Sequence, residues 1–128
     1  MDASRALVVQ DDGWTRIAMR CVLVRCGFEV TEVGSTGEAL ETAAAIRPRV
    51  VVVDLAVTGR MGLQVVPAFH VASPGTAVFV VSAFPRLRQP ARQAGAADLV
   101  DFEDPRVLER QLHRLNPGPH PACRCGVS

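Results

Sequence analysis

Three polar segments in this sequence directly follow short apolar blocks and carry side chains that could do chemistry. Gln10-Asp11-Asp12 follows the first block, Asp54 follows the run Val50 to Val53, and Ser82 ends a later block. An acid directly after four valines is hard to explain by packing. Carboxylates can hold a divalent cation, and a carboxylate can also act as a nucleophile toward a phosphoryl group. We therefore expect a functional crevice where these residues meet.

Five apolar blocks are predicted as strands, and most of the segments between them read as helices. The predicted strands are Ala6 to Val9, Phe28 to Val33, Val50 to Val53, Ala77 to Val81 and Ala97 to Val100. Continuous valine-rich runs indicate strands that are covered on both faces, as in a parallel sheet. The alternation predicts an α/β fold, a doubly wound (βα)₅ five-stranded parallel sheet. In such folds the functional crevice lies at the carboxyl ends of the strands.

Capping residues mark most of the helices between these strands. The predicted helices are Trp14 to Arg25, Ala39 to Ile46, Gly62 to Val71, and a last one that begins at Pro105 with Asp104 as N-cap and runs to about Leu115. Ser35 and Glu38 form a capping-box pattern ahead of the second helix. Pro85 and Pro90 predict a short or irregular fourth helix, because a proline inside a helix costs ~3 kcal/mol.

With these elements in order, residues 5 to 115 resemble the receiver domain of bacterial response regulators, a flavodoxin-like fold. The segment Asp54 to Gly62 resembles the family's Asp-Leu-x-Met-Pro-Gly-x-Asp-Gly loop. Ser82-Ala83 matches the family's Thr/Ser-Ala pair, and Gly95 to Asp98 matches the Gly-Ala block before strand five. The resemblance implies that Asp54 is the phosphoacceptor and that Ser82 donates a hydrogen bond to the phosphoryl group.

The resemblance also implies a Mg²⁺ site in this crevice. Its ligands would be Asp11, Asp54 and the main-chain carbonyl of Ala56, with Gln10 and Asp12 acting through metal-bound waters. Gln10 stands where the family has the first acid of an acidic pair. Because glutamine brings no charge, we expect the affinity for Mg²⁺ to be reduced.

A second departure concerns the conserved cation of the family's site. Counting from Gly95-Ala96, the family's lysine falls at Phe102, and the chain contains no lysine at all. The losses of an acid at Gln10 and of the lysine leave the net charge of the site roughly unchanged, so we hypothesise that they compensate each other. The switch position on strand five, often aromatic in the family, is Leu99, which would respond together with Ser82.

Three arginines, Arg86, Arg88 and Arg92, fall around the predicted fourth helix. Together with strand five and helix five, this helix forms the surface by which receivers bind partners. Two interpretations stay open for the arginines, a solvated helix face and a docking patch for an acidic partner.

Length, charge and composition restrict the classes of function. The chain has 128 residues and a formal net charge of +1, which fits one domain and gives no strong case for nucleic acid or a membrane as partner. We predict a receiver domain over residues 1–116 and a disordered tail over residues 117–128, with no room for a DNA-binding output domain. Signal-peptide and membrane-spanning patterns are absent, so we expect a cytoplasmic protein.

The cysteines and motif searches add little chemistry. Cys21 and Cys26 lie about 140° apart on one helix and should not form a disulfide. His120, Cys123 and Cys125 in the tail could offer zinc three ligands, but an unstructured tail is favoured. The sequence has no Walker, dinucleotide-binding or nucleophile-elbow motif, which argues against an enzyme of those classes.

Two principal functions remain. In the first, a stand-alone receiver accepts a phosphoryl group at Asp54 from a sensor histidine kinase or a phosphotransfer protein and signals through a downstream protein partner or a homodimer. In the second, a degenerate pseudo-receiver acts as an interaction module without phosphorylation. A small flavin- or nucleotide-binding protein of flavodoxin-like fold is a distant third. In neither of the first two functions is the chain an enzyme; at most it catalyses its own Mg²⁺-dependent phosphorylation from a donor.

Overall fold

Five parallel strands alternate with five helices in the computed structural model, which describes residues 2–101 and 104–117. The strands are β1 (Asp2–Val9), β2 (Glu29–Val33), β3 (Pro48–Asp54), β4 (Ala77–Val81) and β5 (Asp98–Val100). The helices are α1 (Gly13–Arg25), α2 (Thr36–Ile46), α3 (Val65–Ala72), α4 (Arg88–Gln93) and α5 (Arg106–Leu115). The strands form one sheet in the order β2-β1-β3-β4-β5. The predicted doubly wound α/β fold is therefore confirmed.

Each face of the sheet is covered by its own set of helices. Alternate residues of the central strands point to opposite faces, so the valine runs of β1, β3 and β4 supply both cores at once. One core contains Leu7, Val51 and Val80 with residues of α2, α3 and α4. The other contains Val8 and Val52 with residues of α1 and α5. This double burial explains why the strands read as continuous apolar runs rather than as an alternating pattern.

The predicted capping signals hold for the first two helices. The Ser35 side chain accepts a hydrogen bond from the backbone N–H of Glu38 at 3.3 Å and caps α2. The chain leaves α1 through Gly27, whose φ of 87° suits glycine. The short fourth helix is also confirmed, since α4 has six residues and follows a 3₁₀ turn, Pro85–Leu87.

The third and last helices begin later than predicted. The segment Gly59–Gln64 forms 3₁₀ turns, in which Gly62 has a φ of 50°, and α3 begins only at Val65. Gly62 therefore breaks the helix that was predicted to begin there. The last helix begins at Arg106 with Pro105 at the capping position, so the N-cap prediction for Asp104 was wrong by one residue. The Asp104 carboxylate still accepts a 3.4 Å hydrogen bond from the backbone N–H of Arg106.

Two further predictions concern single features of the described residues. Cys21 and Cys26 are buried free thiols, as expected from their helical spacing. Burial raises the pKa of the Cys26 thiol to about 11, so this thiol is protonated at neutral pH. Within residues 2–101 and 104–117, no helix has the length and apolar character needed to cross a membrane.

Candidate functional site

Strand register brings the predicted site residues to one edge of the sheet. Val9 of β1 lies opposite Val53 of β3, so Gln10 follows β1 beside the end of β3. Asp54, the last residue of β3, lies opposite Val81 of β4, and Ser82 follows directly. The carboxyl ends of the three central strands thus place Gln10, Asp54 and Ser82 side by side. This is the switch point of the strand order, because the chain runs outward from β1 in both directions.

Both carboxylate oxygens of Asp54 accept hydrogen bonds. Oδ1 accepts one from the backbone N–H of Ala56 at 2.8 Å, across the turn that follows β3. Oδ2 accepts one from the side-chain amide of Gln10. The first bond fixes the carboxylate against its own loop, and the second ties it to the end of β1.

Gln10 is as buried as a core residue, with only 2% of its surface exposed. Its Oε1 accepts from the backbone N–H groups of Asp11 at 2.9 Å and Asp12 at 3.1 Å. Its backbone carbonyl accepts from the guanidinium of Arg16, with the Nε atom at 2.9 Å. These bonds fix the amide so that its N–H₂ group faces Asp54. The sequence predicted that Gln10 would hydrogen-bond to metal-bound water. It did not predict the direct hydrogen bond to Asp54.

Asp11 and Asp12 have different environments although they are neighbours. The Asp12 carboxylate accepts from the backbone N–H of Thr15 at 2.8 Å and caps α1. Hydrogen bonds from the Thr15 side chain and backbone lower the pKa of Asp12 below its usual value. Asp11 is exposed. Of the two, Asp11 is therefore the acid that is not committed to capping the helix.

Ser82 is nearly buried, with 8% of its surface exposed. Its Oγ accepts from the backbone N–H of Phe84 at 3.1 Å, and its backbone N–H donates to the Val100 carbonyl at 3.1 Å. A hydroxyl that accepts one bond can still donate its own proton. Ser82 can therefore donate to a group placed on Asp54.

An open cleft of about 710 Å³ joins these residues. Asp54, Ala56 and Ser82 contribute to its wall, together with Arg86 and Asp101. The cleft is thus large enough for a phosphoryl group and part of its donor, and it carries both acidic and basic side chains.

The oxygen donors at this edge suit a hard cation such as Mg²⁺. Among the described residues, no group of three or more histidine, cysteine, aspartate or glutamate side chains could hold a metal ion. Mg²⁺ commonly uses one or two carboxylates and keeps several waters, so Asp11, Asp54 and the carbonyl of Ala56 form a suitable donor set. The bond from Gln10 to Asp54 Oδ2 competes with such an ion for one of the oxygens.

At the start of β5, a buried acid pairs with two of the three arginines that the sequence singled out. Asp98 is 5% exposed. Its Oδ1 lies 3.4 Å from the Nε atom of Arg88 and 3.2 Å from an Nη atom of Arg92. The side-chain amide of Gln111 on α5 donates to Oδ2 at 2.6 Å. These two arginines therefore join α4 to β5 through Asp98, and Gln111 joins α5 to the same carboxylate. Sequence reasoning missed Asp98, because its burial depends on packing that the motif does not reveal.

The predicted switch residue Leu99 is buried next to this cluster, with 1% exposed. Its carbonyl accepts a hydrogen bond from an Nη atom of Arg88 at 3.3 Å. Phe102, the position of the absent lysine, lies outside the described residues, and so do His120, Cys123 and Cys125.

Comparison with known proteins matches this chain to receiver domains of response regulators. The family model for the response regulator receiver domain matches residues 6–110. A Myxococcus xanthus protein-glutamate methylesterase/protein-glutamine glutaminase is 37% identical over 111 residues, which are 83% of this chain and 32% of the relative. The chain therefore spans about a third of that relative's length.

Two other matches extend over most of a receiver. The chemotaxis protein CheY of Thermotoga maritima is 26% identical over 110 residues, 82% of this chain and 92% of the relative. A Burkholderia pseudomallei response regulator, solved with a phosphorylated aspartic acid, a calcium ion and citrate, superposes with a TM-score of 0.72 at 23% identity. That superposition covers 89% of this chain and 67% of the other. At this identity the likeness shows the shared fold.

Proposed function

Because this chain belongs to the response regulator receiver domain family of two-component signalling, we propose that it accepts a phosphoryl group at Asp54 and signals through protein contacts. The observation that carries the proposal is the position of Asp54. Its carboxylate ends β3 in an open cleft, next to the Ala56 backbone N–H and the Ser82 hydroxyl. This arrangement combines a nucleophile with two hydrogen-bond donors for the group that it would receive.

The proposed step is a single displacement at phosphorus. A carboxylate oxygen of Asp54 forms a new bond to phosphorus, and the bond from phosphorus to the donor atom breaks. That donor atom keeps the electron pair; in a phosphohistidine donor it is an imidazole nitrogen, and the ring leaves as neutral imidazole because its other nitrogen carries a proton. Negative charge spreads over the three transferred oxygens, so catalysis depends mainly on positioning and charge neutralisation. The Ser82 hydroxyl is placed to hydrogen-bond to one of these oxygens.

Asp11, Asp54 and the carbonyl of Ala56 would hold Mg²⁺ in this proposal, with Gln10 and Asp12 interacting through its waters. Bound Mg²⁺ would neutralise part of the charge on the phosphoryl oxygens. The Burkholderia relative, with its phosphorylated aspartic acid and calcium ion, supports a site of this kind. The hydrogen bond from Gln10 uses one lone pair of Asp54 Oδ2, and glutamine adds no negative charge, so we expect the metal to bind weakly.

The proposed partners are a histidine kinase or phosphotransfer protein as donor and a downstream protein as target. The surface of α4, β5 and α5 is the proposed output face. Leu99 lies on β5 one residue before Val100, whose carbonyl accepts a hydrogen bond from the backbone N–H of Ser82, so a shift of Ser82 toward a phosphoryl group would act on β5. This would make Leu99 part of the switch.

A pseudo-receiver remains the second candidate because of one observation. The amide of Gln10 already occupies an oxygen of Asp54, and the chain has no lysine. In this alternative the hydrogen-bonded Gln10–Asp54 pair is a permanent structural link. Partner binding would then be independent of phosphorylation.

Incubation with acetyl phosphate and Mg²⁺, followed by intact-mass measurement after acid quenching, distinguishes the two candidates. We expect a gain of one phosphoryl group, about 80 Da, that depends on Mg²⁺. The Asp54→Asn variant should show no gain, and Asp104→Asn, which alters an exposed carboxylate on another part of the surface, should behave as the parent. A parent protein that gains no mass would favour the pseudo-receiver.

A further inference from the structure

One arginine of the segment after β4 differs from its two neighbours in its partners. Arg88 and Arg92 both form ion pairs with the buried Asp98. Among the described residues, Arg86 has no carboxylate within ion-pair distance. Its guanidinium instead lies over the ring of Phe84, 5.6 Å from the ring centroid. The side chain is exposed, so its charge is free to meet an anion.

The 3₁₀ turn Pro85–Leu87 places Arg86 on the wall of the cleft that contains Asp54. This turn begins three residues after Ser82, so it lies over the carboxyl end of β4. Of the described residues that line the cleft, Arg86 is the only cation. A phosphoryl group on Asp54 would bring close to two negative charges into this cleft, whose wall also includes Asp101.

We propose that Arg86 binds the phosphoryl group at Asp54 and supplies the positive charge that the missing lysine would otherwise provide. This inference rests on the proposed function, because it takes Asp54 as the residue that carries the group. A guanidinium presents two parallel N–H donors that match two phosphoryl oxygens. The long side chain can leave the exposed face of Phe84 for the anion, since a cation–π contact at an exposed site is weak.

The rate of mass gain from acetyl phosphate in Mg²⁺ tests this role. We expect Arg86→Ala to lower the rate constant about tenfold, as the loss of a hydrogen bond to a charged group predicts, and Arg86→Lys to restore most of it. Arg110→Ala removes the same charge from an exposed site on α5 and should leave the rate unchanged. Thermal unfolding should be the same in all four proteins. An unchanged rate for Arg86→Ala would overturn the proposal.

A second measurement separates this proposal from the proposed function. Inorganic phosphate is titrated into the Mg²⁺-loaded protein while the Nε–H resonance of Arg86 is followed by NMR. We expect a saturable shift, and weaker phosphate binding in Arg86→Ala than in Arg110→Ala. If the parent gains no mass but this shift occurs, the phosphoacceptor function fails while the anion contact of Arg86 stands. If phosphate binding is the same in both variants, the role of Arg86 is contradicted whatever the mass shows.

Discussion

Replacing Gln10 with aspartate is expected to increase the affinity for Mg²⁺ about 30-fold, because a third carboxylate near a bound dication adds roughly 2 kcal/mol after solvent screening. The same change should destabilise the metal-free protein by about 2 kcal/mol, since it places a second negative charge beside Asp54 and removes a buried donor. Isothermal titration calorimetry measures the first effect. Urea unfolding with and without Mg²⁺ measures the second, and the ion should reverse it.

The control for this pair of effects is Gln89→Asp. It makes the same change of charge on the exposed surface of α4 and should alter neither Mg²⁺ affinity nor stability by more than about 0.5 kcal/mol. Equal stability and an equal Mg²⁺ response in Gln10→Asp and the parent would contradict the account. That result would mean that a neutral residue at position 10 neither stabilises the metal-free site nor lowers its affinity for Mg²⁺.

The second large effect is expected for Asp98→Asn, which should lower the free energy of unfolding by about 2 kcal/mol, roughly 30-fold in the folding equilibrium. Asp98 accepts from the Leu99 backbone N–H at 2.8 Å and from Gln111, and it pairs with two arginines. The asparagine amide would direct N–H groups toward other donors. The estimate lies below the cost of a fully buried pair, because both arginines are about half exposed.

Urea unfolding of Asp98→Asn should be compared with that of Asp104→Asn. The Asp104 carboxylate pairs with Arg106 at 3.0 Å, but both side chains are solvent-exposed, so its loss should cost little stability. Hydrogen exchange should also become faster in α4, which the Asp98 pairs fasten to the sheet. Equal losses of stability in the two variants would show that the buried cluster does not hold α4.

The strands and the cleft could be predicted from the sequence because both depend on chain order. Four consecutive valines before Asp54 require a strand that is buried on two faces, and parallel strands bring their carboxyl ends together. The positions of Asp54 and Ser82 follow from this without any knowledge of side-chain geometry. The start of α3 was predicted less well. The sequence suggested a helix from Gly62, but this residue adopts a positive φ.

The contacts within the site required the three-dimensional structure. A glutamine in place of an acid suggests a lost ligand, but only the packed conformation shows its amide donating to Asp54. The arginines after β4 are equivalent in sequence, yet two of them pair with Asp98 and Arg86 remains on the cleft wall. The difference comes from the 3₁₀ turn, which separates Arg86 from the helix that carries the other two.

The central claim is that Asp54 itself carries the phosphoryl group, and chemical mapping tests this most directly. After treatment with acetyl phosphate and Mg²⁺, borohydride reduces an acyl phosphate to an alcohol, and peptide mass spectrometry locates the reduced residue. We predict reduction at Asp54 alone, with none in protein that has not been treated with acetyl phosphate. Reduction at Asp11 or another carboxylate, or no reduced residue at all, would contradict the account.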